Sequence, residues 1–127
     1  MPNLVYNPFP LGKVVVATPG TLVPLCQNFS SLRGNATYTL NLRAAKLFVQ
    51  TDNVGVSGGL APNAGRIYIG YAGMVRATLV NVLFWVDPGS GFWYPQYGET
   101  NSIPVCDLFM DADNANDWAL VHAMVAP

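Results

Sequence analysis

The residues with the clearest chemical potential are the aspartates of residues 111–117, which read Asp-Ala-Asp-Asn-Ala-Asn-Asp. Asp111, Asp113 and Asp117 offer hard oxygen ligands at spacings that suit Ca²⁺. A helix–loop–helix calcium loop needs glycine at its sixth position and glutamate at its twelfth, where this chain has Asn116 and His122. The pattern therefore favours a solvated acidic turn between two strands and no metal, with a loop calcium site as the alternative.

His122 is the single histidine and the next candidate for chemistry. Its neighbours at alternate positions, Leu120 and Met124, are apolar, which is typical of a histidine with a structural role. A serine hydrolase would place its nucleophile in a G-x-S-x-G turn, and the chain contains none. Glu99 and an aspartate could form a glycosidase pair of carboxylates, but no pattern brings them together. We therefore predict a protein that is not an enzyme and uses no cofactor.

Aromatic residues cluster on both sides of the turn at residues 87–91. The members singled out are Trp85, Phe92, Trp93, Tyr94 and Tyr97. Large rings with a polar tip are enriched at subunit interfaces, because they bury much area and still satisfy a hydrogen bond. We expect these residues to lie in the core or at an interface. The alternative is a platform of exposed rings that stacks on sugars.

The composition points to association. Only 10% of the 127 residues are charged and 51% are hydrophobic, whereas a typical soluble domain carries roughly 25% charged residues. This excludes a disordered chain and a polybasic nucleic-acid binder, and the apolar runs fall short of the ~18 residues that span a bilayer. Because some of the surface must then be apolar, we expect a homo-oligomer, with a trimer favoured, and neither nucleic acid nor membrane as a partner.

The charges are unevenly distributed along the chain. All six basic residues precede residue 77, and six of the seven acidic residues follow it. Two interpretations remain open at this stage. Either the two parts interleave in one domain and their charges neutralise across strands, or each protomer is dipolar and meets a neighbour's opposite patch.

Two cysteines, Cys26 and Cys106, lie in apolar stretches. Residues 1–8 lack a basic segment followed by an apolar one, so no signal peptide is expected and the chain is expected to be made in a cytoplasm. A reducing compartment favours two buried thiols, with a disulfide as the alternative.

Short β-rich segments separated by Gly- and Pro-containing turns predict the fold. Strands are expected at residues 13–18, 21–25, 36–42, 46–51, 66–71, 76–86, 92–94, 102–105 and 118–125, and single helical turns at 43–46 and 106–110. This pattern predicts an all-β protein, an antiparallel β-sandwich of jelly-roll type with no substantial helix. Three prolines within residues 1–10 predict an extended N-terminal arm over 1–12 that lies across a neighbour, ahead of one sandwich domain over 13–127.

Several segments occur in a recognisable order between residues 20 and 125. They are GTLVPL at 20–25, NAGRIYIG at 63–70, the Pro-Gly turn at 88–89 and the Asp-Leu pair at 107–108. The set resembles small all-β virion proteins of tailed bacteriophages, in which a GT-x-V-x-L strand, an N-x-G-x-IYIG strand, a PG turn and a DL segment recur in that order.

The resemblance implies a structural role in a phage virion, such as decorating or cementing the capsid. The implied partners are the major capsid protein or another virion protein, and the implied location is the virion, after synthesis in the host cytoplasm. No site residue comes with the family. Segments 53–62 and 92–100 are longer and more aromatic than the family pattern, which leaves a glycan- or receptor-binding module of a fibre or tail as the alternative.

Overall fold

The computed structural model describes residues 6–26, 42–52, 62–95 and 100–127. Within these residues the chain forms ten β-strands and one three-residue 3-10 turn, Val105–Asp107. The strands are β1 (Asn7–Val16), β2 (Val23–Pro24), β3 (Arg43–Ala44), β4 (Lys46–Gln50), β5 (Ile67–Val75), β6 (Val80–Val86), β7 (Gly91–Tyr94), β8 (Ile103–Pro104), β9 (Leu108–Ala112) and β10 (Asp117–Val125). None of the described segments contains a helix long and apolar enough to cross a membrane.

Eight of these strands form two four-stranded sheets. Sheet A has the order β1-β10-β4-β7, sheet B has the order β2-β9-β5-β6, and β3 pairs with β8 in a small separate ribbon. The described strand pairs are all antiparallel. The prediction of an all-β antiparallel sandwich is confirmed.

The core lies between the two sheets because residues of one parity on each strand are apolar. Val49 and Val121 face inward from sheet A, and Ile67, Ile69 and Met110 face inward from sheet B; all five are fully buried. Successive side chains of a strand point to opposite faces, so a shift of one residue would move each of these groups to the outside. The hydrophobic alternation therefore fixes which residues reach the outer faces.

The sandwich begins earlier in the chain than the predicted N-terminal arm allows. β1 starts at Asn7 and pairs with β10 along its whole length, with an irregularity at Gly12. Because β1 is an edge strand, Pro8 and Pro10 can occupy positions that need no N–H donor. Residues 7–12, predicted as arm, thus belong to the sandwich, and residues 1–5 lie outside the described residues.

Other local differences concern the two predicted helical turns. Arg43–Ala44 is the strand β3, and in the second segment only Val105–Asp107 is helical while Leu108–Ala112 forms β9. β9 was missed because its inward and outward residues are both largely buried, which removes the alternation that marks a half-exposed strand. The strand predicted at 36–42 lies outside the described residues except for Leu42.

Cys26 and Cys106 form a disulfide, with their Cα atoms 5.3 Å apart. The expectation of two buried free thiols is therefore wrong. The bond joins the turn after β2 to the 3-10 turn before β9. The sequence spacing of 80 residues carries no signal for this pairing, because it is the folding of the sandwich that brings β2 and β9 side by side.

Candidate functional site

The acidic segment is a structural network. Asp111 is only 2% exposed, and its carboxylate accepts hydrogen bonds from Arg76 Nε at 2.9 Å and from the Gly20 N–H at 2.8 Å. Arg76 also donates from Nη1 to Asp113 at 2.9 Å. A buried carboxylate is stable only with such partners. No group of three or more His, Cys, Asp or Glu side chains that could hold a metal was found in the described parts of the chain.

Asp117 anchors the segment that leads into β5. Its two carboxylate oxygens accept the N–H groups of Ala64 at 3.0 Å and Gly65 at 2.8 Å. Next to it, Asn63 exchanges two hydrogen bonds with the backbone of Trp118. The expected solvated turn is therefore wrong for Asp111 and Asp117, which are buried. The carboxylate oxygens that would bind calcium in the alternative interpretation already accept hydrogen bonds from the protein.

His122 lies on the outer face of sheet A. It is opposite Pro10 on one side and Phe48 on the other, and its ring centroid is 6.4 Å from that of Phe48. Its Nδ1 is buried, and no described residue offers that atom a hydrogen-bond partner. The imidazole packs as one ring of an outer row, which agrees with the structural role predicted for it.

The predicted aromatic cluster is divided between the two sheets. Trp85 lies on the outer face of β6, is 41% exposed and has the Arg66 guanidinium 5.4 Å from its ring centroid. Arg66 in turn donates from Nε to Asp87 at 2.8 Å. Trp93 lies on the outer face of β7, is 44% exposed and has its ring centroid 4.6 Å from that of Phe48. The two indoles therefore sit on opposite faces of the sandwich.

Phe92 and Tyr94 face the interior. Their rings stack on Phe84 of the other sheet, at centroid distances of 5.2 Å for Phe92 and 4.7 Å for Tyr94. Tyr94 packs against the core, whereas Phe92 is 40% exposed because it sits at an edge of its sheet. Tyr97 lies outside the described residues, so its predicted place in an interface remains a prediction.

Trp85, Phe92, Trp93 and Tyr94 belong to two strands that lie along one lateral side of the sandwich. We call it the β6–β7 side and define it as residues 80–94. β6 is the last strand of sheet B, β7 is the last strand of sheet A, and a short connection at 87–90 joins them. An open groove of about 550 Å³ runs along this side, lined by residues 83–87 and 90–92. Asp87 is the one charged residue in that lining.

The opposite side of the sandwich is built differently. There β1 carries Pro8, Pro10, the irregularity at Gly12 and the exposed Lys13, and β2 is two residues long and ends at Pro24. Prolines, bulges, charges and shortness are the means by which natural sheets prevent their edges from pairing. β6 has neither proline nor charge, and its irregularity lies between Phe84 and Val82, so the regular part of β6 at residues 84–86 is the described edge that is suited to contact.

A smaller pocket, of about 200 Å³, lies on the outer face of sheet A. It is lined by Tyr6, Lys46, Trp93 and Met124. The Lys46 ammonium lies 5.2 Å from the ring centroid of Tyr6 and 5.8 Å from that of Trp93. Aromatic faces hold a cation in this way through their quadrupole, so the pocket combines ring surface with a hydrogen-bond donor.

Comparison of the chain with protein-family models, with curated proteins and with solved structures gave no match. The function has to follow from the geometry of the molecule.

The electrostatics of sheet B follow from the contacts around Asp113. Burial lowers the pKa of Arg76, but the carboxylates of Asp111 and Asp113 raise it by more, so its pKa lies above the ordinary value. The Tyr68 hydroxyl donates to Asp113 at 3.3 Å. Burial, and next this carboxylate, raise the pKa of Tyr68 above its ordinary value. At neutral pH the guanidinium is therefore charged and the phenol is protonated.

The described ion pairs connect the two parts of the chain that differ in charge. Arg66 pairs with Asp87, and Arg76 pairs with Asp111 and Asp113. For these residues the charges neutralise across strands, as the first of the two interpretations holds.

Sequence reasoning missed the residues that organise this network. Arg76 has an ordinary turn sequence around it, and nothing in its neighbourhood signals a buried carboxylate partner. Asn63 and Asn101 each bond both backbone groups of a distant residue, Trp118 and Ala126 respectively. The Asn-x-Gly spacing at 63–65 is the local signal that marks such a docking segment.

Proposed function

We propose that this protein is a non-enzymatic structural component of a phage virion, a homo-oligomeric protein that decorates or cements the capsid through protein–protein contacts. The observation that carries the proposal is the β6–β7 side, where Trp85 and Phe92 flank an open groove and the strand behind them has no charge. Apolar surface of this kind usually marks an interaction site.

The order of the strands supports a jelly roll, a fold found in viral capsid and lectin domains. The pairs β1–β10, β2–β9, β4–β7 and β5–β6 are nested, as in one long hairpin that has rolled up, and the rolled strands are shared between two sheets. Fold alone does not decide function, but this one suits a structural virion protein.

A role without catalysis is supported by the contacts that the chemically reactive side chains make within the fold. Asp111, Asp113 and Asp117 hold the sandwich together through Arg76 and backbone N–H groups. His122 packs against Phe48, and no carboxylate among the described residues is bonded to its buried Nδ1. These groups stabilise the fold, which is the property that a particle subunit requires.

The disulfide supports an exposed position on the particle. Disulfides persist in oxidising surroundings and are rare in a reducing cytoplasm. A chain made in the host cytoplasm would close the bond between Cys26 and Cys106 once the particle surface meets an oxidising medium.

The test of the structural role uses the full chain and purified virions. Absolute mass by light scattering behind a sizing column, over a range of concentrations and at two salt levels, gives the oligomeric state, for which the sequence favours a trimer. Peptide mapping of purified virions, before and after removal of tails, places the chain on the head. A monomer that is absent from virions would overturn the proposal.

A second function, a glycan- or receptor-binding module of a fibre or tail, is favoured by one observation. The pocket between Tyr6, Lys46 and Trp93 offers ring surface and an ammonium donor, and sugars bind by stacking on rings and accepting hydrogen bonds. Titration of host surface polysaccharide, followed by Trp fluorescence, tests it. Binding that is lost in Trp93→Ala and kept in Trp85→Ala would move this function to the front.

A further inference from the structure

The direction of the backbone groups along β6 follows from one hydrogen bond in sheet B. The Asp113 N–H donates to the Arg66 carbonyl at 3.1 Å, one step beyond the pair of Ile67 and Ala112. In an antiparallel ladder the residues of a strand turn their backbone groups alternately to one side and the other. Arg66 and Tyr68 therefore face β9, and Ile67 and Ile69 face β6.

The same alternation turns the backbone groups of Trp85 away from β5. Ile67 and Ile69 are opposite Val86 and Phe84, so these two residues of β6 turn their N–H and C=O toward β5. Trp85, between them, turns both groups away from the sheet. Among the described strands none lies beyond β6, so the Trp85 N–H and C=O point out of the sandwich.

We propose that this free edge binds a second copy of the chain, with β6 pairing antiparallel to β6 of the partner on a two-fold axis at Trp85. The inference rests on the proposed function, because it names the surface through which the copies meet. Each Trp85 N–H donates to the Trp85 carbonyl of the other copy. The two indoles then lie side by side on the outer face of a sheet that continues from one copy into the next.

The charges along the edge fit a copy of the same strand. Residues 77–86 carry no charge, so two strands can lie side by side without like charges in opposition. With the axis at Trp85, Asp87 of each copy faces Leu83 of the other, and Asp87 is already paired with Arg66. An isologous contact of this kind uses the β6 edge of each copy once, so it gives a closed dimer.

The area that two copies bury at their β6 edges determines how stable the dimer is expected to be. With the axis at Trp85, residues 83–87 of the two copies lie opposite one another; five residues at ~3.3 Å each and two layers ~10 Å apart, with their outer side chains, give a strip about 17 Å by ~20 Å. Two such strips bury on the order of 700 Å², below the ~1,000 Å² of specific, stable interfaces. The dimer is therefore expected to dissociate on dilution in solution and to be reinforced by the high local concentration on a particle.

The experiment compares two substitutions at one position. Trp85→Pro removes the outward N–H without removing a bond to β5, since prolines are accepted where the N–H faces away from the sheet. Trp85→Ala removes the indole and keeps the N–H. Light scattering over a concentration series is expected to show a dimer for the wild type, a dimer weakened less than tenfold for Trp85→Ala, and a monomer for Trp85→Pro.

Hydrogen exchange of the wild type gives a readout that depends on no substitution. The Trp85 amide, followed by NMR, is expected to exchange at least tenfold more slowly in concentrated than in dilute samples, while the amide of Val86 changes little. A trimer, or a dimer in which the Trp85 amide stays unprotected, would overturn the strand pairing and leave the proposed function standing. A wild type that is monomeric at all concentrations would overturn the pairing and the homo-oligomer together.

Discussion

The side-chain amide of Asn63 pairs with both backbone groups of Trp118: its Nδ2 donates to the carbonyl at 2.6 Å, and its Oδ1 accepts the N–H at 2.9 Å. β4 pairs with β10 only as far as the pair of Gln50 and Leu120. Beyond that point the Asn63 side chain takes the place of a strand residue. It thereby connects the segment before β5, in sheet B, to β10, in sheet A.

Substitution of this residue should be costly. Asn63→Ala removes both hydrogen bonds to the buried backbone of Trp118, and the loss of a hydrogen bond at a buried group costs about 1 to 3 kcal/mol. We expect the free energy of unfolding to fall by about 2 to 4 kcal/mol, measured by urea denaturation followed by fluorescence. Asn101→Ala is the matched comparison, since Asn101 makes the same two bonds with Ala126. Its loss should cost less, because Asn101 is exposed and water can replace its amide; an equal or larger loss would contradict this account.

The ion pairs of Arg76 and Arg66 differ in burial and should therefore differ in their contributions to the free energy of unfolding. Arg76→Ala leaves the Asp111 carboxylate, whose side chain is 3% exposed, without its counter-charge, and loss of one partner of a buried pair costs about 3 to 5 kcal/mol. Arg66→Ala opens a solvent-exposed pair with Asp87, and such pairs contribute little to stability because water and salt screen them. Thermal unfolding should therefore separate the two variants clearly. Similar stabilities would mean that water reaches Asp111 in the folded protein.

Part of this molecule was predictable because local pattern and tertiary structure agree. β4 and β10 were predicted almost to their ends, since their alternating apolar residues form the core of sheet A. The outer network was not predictable, because Asn63, Arg76 and the aspartates act through partners that only the folded sandwich brings close. The prediction of an extended arm over residues 7–12 was wrong for a related reason. Pro8 and Pro10 are typical of such an arm, and only the position of β1 at a sheet edge makes them compatible with a strand.

Tyr68 predicts a pH dependence in the alkaline range. Burial, followed by the charge of Asp113, raises the pKa of its phenol in the folded state. A group whose pKa is raised on folding stabilises the protein fully below its unfolded pKa, about 10 for tyrosine. That contribution is lost as the pH rises from there through the folded pKa. The free energy of unfolding should therefore fall above about pH 10 in the wild type, and Tyr68→Phe should lack that part of the fall. Absorbance of phenolate near 295 nm checks the same residue directly, and identical titration curves for the two proteins would refute the assignment.

The disulfide between Cys26 and Cys106 should make a large contribution to stability. It closes a loop of 80 residues, and a cross-link of that span limits the unfolded chain by roughly 4 kcal/mol in the loop-entropy model. The double variant Cys26→Ser, Cys106→Ser should lose about 2 to 5 kcal/mol in denaturant unfolding. Wild-type protein reduced with a phosphine should lose a similar amount, and the double variant should not respond to the phosphine. If the reduced wild type is as stable as the oxidised one, the bond does not restrict the unfolded chain.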